Sequence, residues 1–163
     1  MLEHAGRLWL FTNLVQGGAA PSEELFVFSS ESLEGEWAPH PQNPVVADVR
    51  RARPAGPIFR RGCELIRPGQ DCAVRYGHAI VLSRIDFLDE RTYREVPVTR
   101  IDPGWRPGNV GTHTYAADSE YELVDGYSLR PRWSFGAGSR DATPRLASIE
   151  LRRPLIEPVS RLR

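Results

Sequence analysis

Residues 48–77 read DVRRARPAGPIFRRGCELIRPGQDCAVRYG and are the part of the chain that we expect to carry its chemistry. Seven arginines and two aspartates surround two short apolar pieces, which flank an Arg-Arg-Gly-Cys segment. Extended residues on both sides of a glycine-containing turn are typical of a β-hairpin. Because hairpin strands run antiparallel, the polar residues before the first strand and after the second meet at one end. The sequence therefore predicts one pocket lined by Arg53, Arg67, Gln70 and Asp71.

Short runs of β-forming residues occur along the rest of the chain, and helical periodicity is almost absent. We predict a helical turn at residues 89–95 and strands near residues 7–15, 24–29, 76–85, 96–101, 111–115 and 121–126. The hairpin pairs recur at intervals of about 45 to 55 residues, which is the spacing of four-stranded propeller blades. The prediction is an all-β chain of short antiparallel strands in blade-like repeats, forming part of a β-propeller.

Composition predicts a single domain with a tail. Strand patterns fill residues 1–129, the expected partial propeller of two to three blades, whereas residues 130–163 are rich in Pro and Arg and are expected to be loosely attached. The 21 basic and 21 acidic residues balance, so no overall basic field favours nucleic acid binding. No apolar run reaches the roughly 20 residues of a membrane span, and no signal pattern opens the chain. We expect a cytoplasmic protein.

Cofactor and metal motifs are missing from the sequence. No pair of Cys or His residues has the spacing of metal ligands, so we predict no metal site. There is no glycine-rich phosphate loop, and we predict no cofactor. Cys63 and Cys72 lie on either side of the second hairpin strand. Two free thiols and a disulfide both fit this arrangement.

Several segments resemble a known class of proteins. The class comprises five-bladed propellers such as the arabinanase and β-fructosidase-like glycoside hydrolases. The similar segments are RLWLFT at 7–12, ELFVF at 24–28 and LEGEWAPHPQNPV at 33–45. A more specific pattern looks like the propeller region of glucosamine inositolphosphorylceramide transferases. It comprises ARPAG at 52–56, RPGQDC at 67–72 and Tyr76-Gly77. Together these similarities cover residues 7–126.

The resemblance implies a sugar-handling propeller that is truncated at its N-terminus. In the hydrolase relatives, carboxylates from different blades converge on the central axis, and one belongs to an Arg-Asp-Pro tripeptide. The corresponding segment here has Ala52 and Arg53 before the proline, so the usual pair of flanking carboxylates is not visible. An open arc of blades would expose strand edges. We therefore expect either a second copy of the chain or upstream blades as a partner.

Seven residues are predicted to form the site. Asp71 and His113 are the candidate catalytic residues, since an aspartate close to arginines stays ionised and a histidine can transfer protons. A structural ion pair for Asp71 and a structural role for His113 are the alternatives. The candidate substrate-binding residues are Arg53, Arg67, Gln70, Arg75 and Tyr76. Arginine matters here because its planar fork fits carboxylate and phosphate groups.

Two hypotheses of function follow. The first is a carbohydrate-active propeller domain, glycosidase-like or part of a glycosyltransferase, that acts on or binds a sugar or sugar-phosphate. The second is a non-catalytic carbohydrate-binding or scaffold domain that has lost its acid and base residues. An open cavity shared by Asp71 and Arg53 would favour the first, whereas burial of Asp71 in a closed ion pair would remove that residue from the site.

Overall fold

The computed structural model describes residues 1–15, 17–130 and 143–152. Within these ranges the chain consists of strands, their connections and one 3₁₀ helix, Pro103–Trp105. The strands are β1 (Leu2–His4), β2 (Arg7–Thr12), β3 (Glu24–Ser30), β4 (Ala38–Pro39), β5 (Val46–Ala47), β6 (Arg53–Pro54), β7 (Phe59–Arg61), β8 (Glu64–Asp71), β9 (Ala79–Leu88), β10 (Tyr93–Ile101), β11 (Asn109–Gly111), β12 (Tyr115–Ala117), β13 (Glu122–Arg130) and β14 (Thr143–Arg152). The all-β prediction is confirmed.

The strands form three antiparallel sheets, each built from one continuous part of the chain. Sheet 1 has the order β1-β2-β3-β4, with β5 also paired to β3. Sheet 2 has the order β10-β9-β8-β6, with β7 paired to β8. In sheet 3, strands β11, β12 and β14 all pair with β13. The described residues do not close into a barrel or a propeller.

Sheet 2 lies between the other two sheets and is covered on both faces. On β8, Leu65 packs with Trp9 and Val27 of sheet 1. The neighbouring Ile66 packs instead in a second apolar cluster, which contains Tyr115 of sheet 3. Successive strand residues point to opposite faces, so β8 contributes to both cores. We call these two sides the sheet 1 face and the sheet 3 face.

The central hairpin forms as predicted. Strands β7 and β8 pair antiparallel, and Arg61 lies opposite Glu64 across a two-residue connection. Gly62 in that connection has a φ of 60°, a conformation that glycine adopts without steric cost. At the other end, Arg53 lies opposite Gln70 in the β6–β8 pair. The two polar segments therefore meet at one end of the hairpin.

The helical turn predicted at residues 89–95 is wrong. These residues form the turn between β9 and β10 and the start of β10. Asp89 explains the difference, because its Oδ1 accepts the backbone N–H groups of Arg91 and Thr92 at 2.8 and 2.7 Å. An aspartate that binds nearby backbone in this way favours a turn over a helix.

Part of the predicted tail belongs to sheet 3. Strand β14 pairs along β13, from Glu122 opposite Arg152 to Arg130 opposite Thr143. The predicted domain boundary after residue 129 therefore falls inside a strand. The rest of the tail, residues 131–142 and 153–163, lies outside the described residues.

Candidate functional site

The alternation of side chains along β8 divides the predicted pocket in two. Gln70 donates from Nε2 to the carbonyl of His113 at 3.0 Å on the sheet 3 face. Arg67 and Asp71 point to the sheet 1 face, where they meet Glu95 and Arg100. The expectation of one shared pocket is therefore corrected, because residues of odd and even number in a strand cannot line the same face.

Arg67 forms a buried ion pair on the sheet 1 face. Its Nε and Nη2 donate to the two oxygens of Glu95, both at 2.6 Å. The same Nη2 also donates to the carbonyl of Arg51 at 2.9 Å, and the Tyr93 hydroxyl donates to Glu95 at 2.5 Å. The side chains of Arg67 and Glu95 are 1% and 2% exposed. Arg67 is thus enclosed by protein and does not face an open pocket.

Electrostatic interactions keep Arg67, Glu95 and Tyr93 each in one protonation state. Burial alone would raise the pKa of Glu95, but the positive charge and hydrogen bonds of Arg67 lower it below its usual value. Burial opposes the charge of Arg67 as well, yet Glu95 raises the pKa of Arg67 above its usual value. The pKa of Tyr93 is raised well above its usual value by burial and by the Glu95 charge. The ion pair therefore remains ionised at neutral pH while Tyr93 remains a donor.

Asp71 is also buried in an ion pair, with Arg100, whose side chain is 39% exposed. Asp71 itself is 4% exposed. Its Oδ1 accepts the backbone N–H of Ala73 at 2.9 Å, and its Oδ2 accepts Nη1 of Arg100. Both carboxylate oxygens are thus occupied by protein donors. This is the environment of a structural carboxylate, the alternative that the sequence left open.

The sheet 3 face carries a second cluster, centred on His113, which we call the His113 cluster. It comprises Arg53, Gln70, Tyr76, His113, Asp125 and Tyr127. Asp125 is 4% exposed, and its Oδ1 accepts the backbone N–H groups of His113 and Thr114, both at 2.8 Å. Its Oδ2 contacts Nδ1 of the imidazole. The carboxylate thereby fixes both the loop and the ring, and Nε2 of His113 makes no hydrogen bond to a described residue.

Aromatic rings flank the imidazole on two sides. The ring centroids of Tyr76 and Tyr127 lie 5.9 and 6.0 Å from that of His113, both in edge-on arrangements. The Tyr127 hydroxyl donates to the carbonyl of Tyr76 at 2.8 Å. The guanidinium of Arg53 lies over the Tyr76 ring, 5.0 Å from its centroid, a cation–π arrangement. The His113 side chain remains 27% exposed between these groups.

The Tyr-Gly pair at residues 76–77 lets the chain pass close to the imidazole. Gly77 has a φ of 61°, and a Cβ added there would lie 2.5 Å from the Cβ of His113. Only glycine fits both constraints.

The neighbouring Arg75 also acts on the cluster: burial raises the pKa of Tyr127, and the Arg75 charge opposes that rise.

The structure brings together most of the predicted site residues. His113, Gln70, Tyr76 and Arg53 form one cluster with Arg75 beside it, whereas Arg67 and Asp71 lie on the opposite face. Sequence reasoning missed Asp125 and Tyr127. The signal for Asp125 is its position inside a strand, because aspartate is depleted from strands unless its carboxylate has a specific partner.

These observations define the class of protein: an all-β domain of three antiparallel sheets with a histidine-centred polar site at its surface. The chain belongs to the family described as glucosamine inositolphosphorylceramide transferase 1, N-terminal, whose profile matches residues 1–105. That membership relates the chain to the N-terminal domain of a glycosyltransferase. The matched range contains Arg53, Gln70 and Tyr76 of the His113 cluster.

The chain is similar to two curated proteins that are both named glucosamine inositolphosphorylceramide transferase 1. The protein of Oryza sativa subsp. japonica is 36% identical over 101 residues, and that of Arabidopsis thaliana is 38% identical over 101 residues. Each match covers 60% of this chain but only 14% and 13% of the respective relative. No solved structure matches the chain. Within the described ranges, no helix has the length and apolar character that crossing a membrane requires.

Proposed function

We propose that the chain is a carbohydrate-binding domain of a glycosyltransferase-related protein and that the His113 cluster binds the sugar. The observation that carries this proposal is the partly exposed imidazole, held by Asp125 between Tyr76 and Tyr127. A sugar ring has an apolar C–H face that packs on aromatic rings and hydroxyls that need donors and acceptors. Nε2 of His113 and the Arg53 guanidinium supply such groups beside the exposed Tyr76 ring.

The names of the relatives narrow the ligand class. They describe transfer of glucosamine in connection with an inositolphosphorylceramide. We propose that this chain recognises the glucosamine or inositol ring of such a glycolipid headgroup. Because the chain spans about 14% of the relative from rice, recognition, rather than the whole transfer reaction, is the role assigned to it.

Binding is favoured over catalysis by the state of Asp71. That carboxylate is buried against Arg100, so it is not free to act as a base or a nucleophile. One observation supports a catalytic alternative, namely the His113–Asp125 pair, in which a carboxylate orients an imidazole as in proton-transfer sites. Under that alternative, His113→Gln would keep sugar binding and remove glycosyl transfer. Under the binding proposal it weakens binding itself.

Replacing Tyr76 with alanine is expected to weaken sugar binding about tenfold, since losing an aromatic contact costs about 1.4 kcal/mol. Isothermal titration calorimetry with glucosamine and with myo-inositol measures this change. Tyr121→Ala is the matched control, because Tyr121 is 51% exposed and Tyr76 is 56% exposed. Equal affinities for the two variants, or no saturable binding by the parent protein, would contradict the proposal.

We also propose that sheets 1, 2 and 3 are consecutive blades of a five-bladed, glycosidase-like β-propeller. Three features support this: each sheet is continuous in sequence, the sheets pack in chain order, and the spacing resembles that of blades. An experimental structure of the corresponding region of the Oryza sativa relative tests the proposal. Further sheets arranged in a ring would support it, and a two-layer sandwich would refute it.

A further inference from the structure

An open hollow of about 450 Å³ lies on the opposite side of sheet 2 from the His113 cluster. One wall is the segment between β5 and β6, with Asp48, Arg50 and Arg51. The other wall comes from β9 and β10, with Val81, Pro97 and Arg100 among its residues. Three arginine side chains therefore line a shared space that is large enough for a sugar-phosphate. None of these lining residues belongs to the proposed sugar site.

Carboxylates hold the first two guanidinium groups in place. Arg50 donates from Nε and Nη2 to the two oxygens of Asp48, at 2.9 and 3.3 Å. Arg51 donates from Nε to Asp48 at 3.3 Å and from Nη1 to Glu95 at 2.8 Å. Nη1 of Arg50 and Nη2 of Arg51 make no hydrogen bond to a described residue. Each arginine is thus oriented and keeps donors unused.

Arg100 is the third arginine that lines the hollow. Its Nη1 donates to Asp71 and its Nε donates to Asp102 at 2.8 Å. Its Nη2 makes no hydrogen bond within the described ranges. Three arginines that line the hollow, each held by a carboxylate, hence retain one Nη without a hydrogen bond to a described residue.

The carboxylates beside the hollow already accept hydrogen bonds from protein donors. Oδ1 of Asp48 accepts the backbone N–H and Nε of Arg50, and Oδ2 accepts donors from both Arg50 and Arg51. The carboxylate of Asp71 is likewise occupied on both oxygens. The free Nη atoms of the three arginines are therefore charged hydrogen-bond donors, and the neutral Thr99 hydroxyl is a further polar group of the lining. Charged donors in planar forks match the oxygens of a phosphate ester.

We propose that this hollow is an oxyanion site that binds a phosphate ester. The phosphate oxygens accept from the free Nη atoms of Arg50, Arg51 and Arg100. The apolar surfaces of Val81 and Pro97 lie under the group that the phosphate carries. A soluble sugar-phosphate and a phospholipid headgroup share this chemistry. The site lies across sheet 2 from the His113 cluster, so it does not depend on sugar binding there.

Arg50→Gln tests the site with little risk to folding, because the Arg50 side chain is 68% exposed and its hydrogen bonds go to Asp48. Calorimetry with inorganic phosphate and with myo-inositol 1-phosphate is expected to show binding that R50Q weakens about tenfold. Arg60→Gln, at an exposed arginine on β7, is the matched control and is expected to bind like the parent. Inorganic phosphate carries no ring, so its binding does not report on the proposed sugar site.

Co-sedimentation with phosphatidylcholine vesicles, with and without phosphatidylinositol, distinguishes the two sources of the phosphate. Binding that requires phosphatidylinositol and is lost in R50Q assigns a lipid headgroup, whereas binding of soluble esters alone assigns a free sugar-phosphate. Both results support the site. Failure of the parent protein to bind phosphate, myo-inositol 1-phosphate or the vesicles would overturn the proposal. Equal binding by R50Q and R60Q would overturn it as well.

Discussion

Replacing Glu95 with glutamine is expected to lower the free energy of unfolding by about 3–5 kcal/mol, the cost of leaving a buried charge without its partner. The amide keeps the shape of the side chain and one acceptor, but it leaves the guanidinium of Arg67 uncompensated at 1% exposure. Arg51 and the Tyr93 hydroxyl also lose a charged acceptor. Urea denaturation followed by circular dichroism measures the change.

Glu64→Gln is the matched control, since Glu64 is 49% exposed and pairs with Arg84 at 3.4 Å. It is expected to cost at most about 1 kcal/mol, as exposed ion pairs contribute little. The double variant R67M/E95Q should cost less than the sum of its single changes, because it removes the unpaired charge. Equal stability of the Glu95 and Glu64 variants would show that the buried pair does not stabilise the fold.

The same variant has a defined pH dependence. The pKa of Glu95 is lowered from an ordinary value of 4.5, so its ionised form is favoured by folding. Its contribution to stability is present above that ordinary value and is lost as the pH falls through the lowered pKa. The stability gap between the parent protein and E95Q is therefore expected to narrow on acidification below about pH 4.5.

Replacing Gly56 with alanine is expected to lower the free energy of unfolding by about 3 kcal/mol, the upper part of the usual range for overpacking. A Cβ at residue 56 would lie 1.9 Å from the carbonyl oxygen of Tyr115. Sheets 2 and 3 are joined at this point, where the backbone N–H of Tyr115 donates to the carbonyl of Ala55 at 2.9 Å. The clash pushes the sheets apart and disturbs the core around Tyr115, which is 1% exposed.

Gly104→Ala serves as the control for this change. A Cβ at residue 104 meets no atom within 4 Å, and we expect its effect to stay within about 0.5 kcal/mol. Thermal and urea unfolding of both variants can be compared directly. If G56A unfolds at the same midpoint as G104A, residue 56 does not set the distance between the sheets.

Much of the fold could be predicted from residues 48–77. Their apolar pieces and glycine turn indicated the hairpin, and the antiparallel rule brought Arg53 opposite Gln70. That the predicted site residues lie on opposite faces of sheet 2 could not be predicted from this pattern. It depends on the register of β8, which sends Gln70 to one face and Asp71 to the other, and a shift of one residue would reverse that choice. Hydrophobic pattern was a poor guide here, because both faces of the strand are buried.

Long-range partners explain the other differences. Glu95 lies 28 residues from Arg67 in sequence, between a predicted helical turn and a predicted strand. Nothing local in the sequence pairs them. Asp125 likewise reaches His113 from the neighbouring strand. Tertiary contacts determine the partner of each buried charge. Short-range sequence patterns therefore indicate only that some partner is required.

We propose that the sheet 3 face of β8 binds the sugar while the Arg67–Glu95 pair on the other face is structural. The most direct test is a titration of glucosamine or myo-inositol into the ¹⁵N-labelled protein, followed by the backbone amide shifts. Saturable shifts are expected at Gln70, Tyr76, Gly77 and His113, with little change at Arg67 and Glu95. Shifts confined to the Arg67–Glu95 side, or no saturable shift at all, would contradict the claim.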